Sequence, residues 1–304
     1  MIKMKPHMQL ITMLKFNEDA VNTFVTTSSN IIISVSSDKS ITLFDYSYKI
    51  LQKIKDAHDG VIFDIALKDD NNFATCSEDK TIKTWVKSEN NNYILNKTIN
   101  HIHEDDIHNI EYLEDYTIIS GSKDAKIKIL NLINNEYKCT IILNNNSGVY
   151  SLLYLKEENI LISTGLEYTR IWNMCNILNN LIVEINAFCH GKNALKRLDT
   201  DRIIVGGRFL LQIISLSQKK IINEIESPFL VWAICVIQSK NIFICGGVSN
   251  DMAIYNSNNY EILGIVENSH NGRLRGISLL NDGKIISGSE DKTTKIWEII
   301  YKNK

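Results

Sequence analysis

The stretch IISGSEDKTTKIWE (residues 285–298) decides how the rest of the chain reads. A short apolar run passes through small residues into the turn Glu290-Asp291-Lys292, and a second run follows and ends on Trp297. Short β-branched runs bounded by turn residues read as two strands joined by a tight turn. The plan recurs at IIISVSSDKSITLFD (31–45), FATCSEDKTIKTWV (73–86) and IISGSKDAKIKILN (118–131). Its outline persists at LISTGLEYTRIWN (161–173), IIVGGRFLLQIIS (203–215) and IFICGGVSNDMAIYN (242–256). The closing positions Phe44, Trp85, Leu130, Trp172, Ile214, Tyr255 and Trp297 lie 41, 45, 42, 42, 41 and 42 residues apart. A fixed period in this range marks a repeat architecture.

Two further apolar runs lie between successive copies. In the second unit the four runs are Ile62–Leu67, Phe73–Ser77, Ile82–Val86 and Ile94–Ile99. Each is too short for a confident helix. Four short strands in about 42 residues describe a propeller blade, and seven such units account for nearly all 304 residues. The expected fold is all-β: a single seven-bladed β-propeller over 1–304, with blades ending near 55, 100, 143, 185, 226, 266 and 300. Only seven residues follow Trp297, enough to finish a third strand but not to add a fourth. The apolar run at 8–14, Met8–Leu14, is expected to supply the missing outer strand, closing the ring and removing an unpaired edge.

The units resemble the WD-40 repeat family. The second reads His58, Ile62, Ile65, Leu67, Thr75, Asp79 and Trp85; the seventh reads His270, Leu274, Ile277, Leu279, Ser287, Asp291 and Trp297. The third keeps His103, Ile107, Ile110, Tyr112, Ser120 and Asp124 but has Leu130 at the Trp position. The resemblance implies that His, Ser/Thr, Asp and Trp of one blade hydrogen-bond in sequence: His58–Thr75–Asp79–Trp85, His270–Ser287–Asp291–Trp297, and His103–Ser120–Asp124. A Ser/Thr–His–Asp set also invites a catalytic reading, but it recurs at blade spacing and no nucleophile motif accompanies it. The first unit has Asn17 and Phe44 at the ends of the pattern, with Ser34 and Asp38 kept. The fourth has Glu167 roughly at the Asp position, the fifth has the shortened turn Gly207-Arg208-Phe209, and the sixth has Ser249 and Tyr255. Units 4 to 6 are therefore expected to rely on apolar packing and to exchange their amides faster than units 2 and 7.

Composition narrows the functional classes. Lys plus Arg is 33 and Asp plus Glu is 35, a formal charge of −2 with no basic block. That argues against nucleic acid as the main partner. No unbroken apolar stretch is long enough for a membrane helix, and Met1 to Phe16 does not read as a secretory signal. The six cysteines show no CxxC and no regular spacing, so a reduced, cytoplasmic or nuclear chain is expected. Glycine (14) and proline (2) are scarce, and clusters such as Asn90-Asn91-Asn92 and Asn144-Asn145-Asn146 stand in for them as turn formers. Neither His101/His103/His108 nor Cys189-His190 makes a convincing metal or thiol site, so no metal, no cofactor and no catalytic residue is expected.

The family resemblance points to the face formed by the loops between strands b and c and between blades. Positions flanking the first apolar residue of each innermost strand point there: Ala20/Asn22, Val61/Phe63, Asp106/His108, Gly148/Tyr150, Ala194/Lys196, Leu230/Trp232 and Arg273/Arg275. Phe63, Tyr150 and Trp232 with Lys196, Arg208, Arg273 and Arg275 are the candidate partner-binding residues, since aromatics and Arg anchor interfaces. The competing reading has the aromatics packed at a channel mouth and the cations paired with Glu78, Glu290 or Asp106. The expected function is a non-enzymatic scaffold or adaptor for protein or peptide partners, monomeric within a larger complex. The alternative is a receptor for acidic or phosphorylated segments in a ubiquitin-ligase or signalling complex. A propeller enzyme would need titratable groups with shifted pKa values at the channel, where the sequence offers Asp106 with His108. The Trp-Asp-x-Arg string of ligase receptors and the paired Arg of phosphoinositide-binding propellers are both missing.

Overall fold

The structure, a computed structural model, describes residues 5–113, 116–175, 180–189 and 191–302. They form seven four-stranded antiparallel sheets, six of them simple meanders of consecutive strands and the seventh completed by the N-terminal strand. We label the strands of each blade a to d from the axis outward. The innermost strands are Val21–Thr26, Ile62–Asp69, Ile107–Tyr112, Ser151–Leu155, Leu195–Arg197, Val231–Ile237 and Leu274–Leu279 for blades 1 to 7. Each lies against its neighbours, and strand a of blade 7 meets strand a of blade 1, so the ring is closed.

Closure is completed by the chain ends. Lys5–Leu14 pairs antiparallel with Thr294–Lys302 from Lys5↔Lys302 to Leu14↔Thr294, as the outer strand of blade 7. The strand starts three residues earlier than the apolar run at 8–14, because backbone pairing continues past the apolar pattern into Lys5-Pro6-His7.

Two irregularities recur and both follow blade geometry. Opposite the closing position of strand c the outer strand carries an extra residue in every blade, as at Thr84/Trp85, Ile129/Leu130 and Ile254/Tyr255, and at Leu10/Thr12 in blade 7. Such bulges twist an exposed edge and discourage further pairing. The second lies in strand a, between Val21/Thr23, Ile62/Asp64, Ile107/Asn109, Val231/Ala233 and Leu274/Gly276. It leaves one residue outside the ladder, re-aiming its side chain.

The core lies between blades. Ile33, Val35 and Leu43 of blade 1 pack with Ile62, Phe73 and Trp85 of blade 2, and each such buried aliphatic contributes roughly 1.5–3 kcal/mol. The largest cluster joins blades 4, 5 and 6 and includes Phe229, Phe243 and Tyr255. Asn does replace Gly in the turns: eight of the eighteen described non-Gly residues with positive φ are Asn, and only Gly283 among the glycines is so placed.

The intrablade chain of hydrogen bonds is resolved atom by atom. Trp85 Nε1 donates to Thr75 Oγ1 (2.9 Å), Thr75 Oγ1 lies 2.8 Å from His58 Nε2, and His58 Nδ1 lies 2.9 Å from Asp79 Oδ2. The carboxylate accepts from Nδ1–H, so Nε2 accepts from the threonine hydroxyl and the ring is neutral. Blade 7 repeats the chain through Trp297, Ser287, His270 and Asp291 (2.8, 2.7 and 3.0 Å), and blade 3 through Ser120, His103 and Asp124 (2.8 and 2.9 Å).

Blade 4 departs from the expectation of apolar packing alone. Trp172 Nε1 donates to Ser163 Oγ, which donates to Asn145 Oδ1, both at 2.8 Å. Asn145 stands four residues before Val149, as His58 stands four before Ile62, so an amide replaces the imidazole. In blade 1 only Asn17 and Asp38 approach each other, at 3.4 Å, while Ser34 bonds Thr42 instead.

Candidate functional site

The bulge in strand a builds the mouth of the central channel. The residues it releases are Asn22, Phe63, His108, Trp232 and Arg275. Blade 4 reaches the same place with Tyr150, the residue before its strand a. Asn22, Phe63, Tyr150, Trp232 and Arg275, with Gly191-Lys192-Asn193, enclose a pocket of about 180 Å³. Phe63, Tyr150, Trp232 and Arg275 are thus brought together. His108 sits behind the aromatics, its ring 5.2 Å from Phe63 and 5.0 Å from Tyr150.

Lys196 does not join them. Strand a of blade 5 pairs Arg197↔Ile203 and Leu195↔Val205, matching Leu67↔Phe73 in blade 2. Leu195 therefore corresponds to Ile65, and the first position of that strand is Lys192, three residues earlier than the spacing from Leu195 implied. The residue at the mouth is Asn193, and Lys196 faces the channel below. Arg208 lies exposed on the short turn of blade 5 and lines none of the described cavities.

Lys192 and Asn193 cross the channel. The Lys192 carbonyl accepts from Ser151 Oγ (3.0 Å) and Asn109 Nδ2 (3.4 Å), on blades 4 and 3. Asn193 Nδ2 donates to the carbonyls of Asn22 and Arg275 (both 3.3 Å), on blades 1 and 7, and its N–H to Trp232 O (3.2 Å) on blade 6. The Lys192 ammonium lies 2.8 Å above the centre of the Phe63 ring on blade 2. Two residues therefore touch six blades and plug the channel. Gly191 permits this: a Cβ there would fall 2.3 Å from Trp232 Cα.

The cations at the mouth are shared between rings and one carboxylate. Arg275 and Arg273 lie over Trp232 at 4.6 and 5.7 Å and both pair with Glu290. The competing reading of the arginines thus holds in part: one carboxylate serves two guanidinium groups, and the Arg273 side chain stays 56% exposed. Glu78 is bonded to Val61 N (3.2 Å), and Asp106 lies 3.9 Å from Lys123. Asp106 and His108 are 3.8 Å apart, too far for a hydrogen bond. Burial pushes His108 down to about 3, so its ring is neutral. Cys189 is buried and its thiol is pushed up to about 11, the opposite of an activated nucleophile; its neighbour His190 lies outside the described residues.

Below the plug the channel opens into a cavity of about 720 Å³ lined by Asp64, Glu111, Lys192 and Lys196. Burial pushes the carboxyls of Asp64 and Glu111 up to about 6 and about 7, and the Lys192 ammonium down to about 7. The sequence reading missed these groups, although Lys192, a lysine where the other blades have an apolar residue, marked the place. Among the described residues no group of three or more His, Cys, Asp or Glu could hold a metal ion, and no helix is long and apolar enough to cross a membrane.

Comparison with known proteins agrees with the geometry. Residues 49–85 and 263–298 match the family model described as WD domain, G-beta repeat, each spanning an outer strand and the following three. The chain is similar to the serine-threonine kinase receptor-associated proteins of rat, human and cattle, 22% identical over 246 residues. The match covers 80% of this chain and 68% of each relative. Two stretches that match the WD repeat thus sit among seven blades of one plan: the chain is a seven-bladed β-propeller that carries WD40 repeats.

Proposed function

We propose that the protein is a non-enzymatic scaffold that captures a protein partner on the loop face, around the pocket formed by Phe63, Tyr150, Trp232 and Arg275. One observation carries this reading: the fold releases these side chains from its ladder and gathers them, with Lys192, around one opening. An aromatic wall with Arg275 in it and the exposed Arg273 beside it is the composition of an interface anchor. The pocket is too small for a folded element and suits a single inserted side chain, with the surrounding loops making the wider contact. Relatives named for association with a receptor add weight to protein association as the role.

A second reading is favoured by the charge at this mouth. The pocket is lined by Lys192 and Arg275 and by no carboxylate, and Glu290 balances only one of its two Arg partners. We propose that the inserted group is acidic or phosphorylated, bound by charge-assisted hydrogen bonds. A cytoplasmic or nuclear location belongs to the same proposal and rests on six free cysteines; imaging of the tagged chain tests it.

The test is affinity capture with mass spectrometry. Wild type is compared with Phe63→Ala/Trp232→Ala/Arg275→Ala and with an Arg208→Ala control, after circular dichroism shows all three folded. Loss of a discrete set of proteins with the triple variant alone supports the reading; equal capture by all three contradicts it. Arg273→Glu addresses the charge: an acidic partner is lost, and a neutral one is kept.

A further inference from the structure

The cavity beneath the plug is a second site, divided from the loop-face pocket by Lys192 and Asn193. It is blind, because Lys192 and Asn193 close one end, and its volume of about 720 Å³ is in the range of small-molecule sites. Its charged lining is ordered by blade. Asp64 and Glu111 come from blades 2 and 3, and Lys196 from blade 5; the Lys192 ammonium is engaged at the mouth, over the Phe63 ring. Asp64 is only 9% exposed and is held by Asn109 Nδ2 (2.8 Å) and Ile110 N (3.1 Å). Arg197, also in the lining, is already paired with Glu158.

Among the described residues no ion pair within 4.0 Å joins Asp64 or Glu111 to Lys196. Acidic and basic side chains thus line one cavity without pairing. Buried charges are normally paired, since leaving them unpaired is costly. Apolar side chains such as Ile65, Leu152 and Ile234 form the remaining walls. The cavity therefore presents an acidic wall, a basic wall and an apolar surface between them.

We propose that this cavity binds a small zwitterion of the α-amino-acid type, its ammonium toward Asp64 and Glu111 and its carboxylate toward Lys196. Burial raises both carboxyls, and an ammonium seated beside them would lower them again. A simple anion would satisfy Lys196 and leave the acids without a cation; a simple amine would do the reverse. Only a bipolar ligand meets both walls.

The experiment is calorimetry and thermal-shift titration of the full chain with alanine, glutamine and lysine, with propylamine and propionate as single-charge controls. A saturable shift with one or more amino acids, absent with both controls, is the expected result. Glu111→Gln and Lys196→Met should each weaken that binding by about tenfold or more, and Arg208→Ala should leave it unchanged. If Lys196→Met does not fold, the isosteric Glu111→Gln carries the test. No response to any amino acid overturns the proposal. So does equal response to the single-charge controls, or full affinity in Glu111→Gln.

Discussion

Asp291 accepts from His270, from Thr293 N (2.9 Å) and Oγ1 (2.6 Å), and from Asn271 N (2.8 Å). Those bonds hold its carboxyl below the ordinary range against the burial that would raise it. Asp291→Ala should cost roughly 1.5–3 kcal/mol, the value of bonds to a charged acceptor, read from urea unfolding; a loss near zero would remove the network from the stability account. The histidines follow the same logic. Burial holds His58 below its ordinary pKa of 6.5, so its share of stability is present above pH ~6.5 and declines as pH falls through that value. Asn145 shows that an amide fits this position. His58→Asn should therefore lose ground to wild type at pH ~7 and recover part of it by pH ~5. Glu111 has the opposite sign: its folded pKa is raised to about 7, which destabilises the fold at higher pH. Glu111→Gln should melt higher than wild type above pH ~8 and alike below pH ~4. At this scale the repeat offsets made His58, Thr75, Asp79 and Trp85 legible, because each sits at a fixed distance from an apolar landmark. Asn145 was hidden inside an Asn-rich turn. Lys83, Lys128 and Lys295, two residues before the closing position, were not part of the repeat reading. Each donates to the carbonyl preceding the network histidine: Ala57, Ile102 and Ser269.

Strand a of blade 5 shows why an element is harder to place than a residue. It has only three paired residues, and its approach, Gly191-Lys192-Asn193, lacks the apolar residue that begins strand a elsewhere. Anchoring the register on Leu195 displaced the mouth position by three residues and put Lys196 in the wrong cavity. The spacing from Arg197 to Ile203, equal to that from Leu67 to Phe73, carried the correct register. Gly191→Val should push the plug away from Trp232 and lower the melting temperature more than Gly264→Val, whose nearest neighbour is Pro6 O at 3.3 Å; equal effects would mean the close approach is not needed. Ring closure, by contrast, was legible, since seven units with one strand short leave one role for an N-terminal apolar run. Deleting residues 5–14 exposes strand Thr294–Lys302 along its whole length. That variant should aggregate or unfold, as light scattering and circular dichroism would show; an unchanged melting curve would contradict the closure. Since blade 4 has its own network, the fast-exchanging blades should be 5 and 6, checked by hydrogen exchange.

On the scale of the whole molecule, the plug separates two environments. Above it, aromatics and arginines meet solvent around a small pocket; below it, Asp64, Glu111 and Lys196 line a larger cavity. A period of about 42 residues announced the ring and its number of blades, because a meandering blade repeats in sequence as it does in space. The plug was not announced, since it depends on one blade departing from the repeat. The central claim is that the partner meets the loop face. The most direct measurement is site-specific photo-cross-linking in cells, with the photoreactive residue at Arg273 on that face or at Asn258 on the opposite one. The account predicts a discrete cross-linked partner from position 273 and none from 258. A partner captured from 258 and absent from 273 would contradict it.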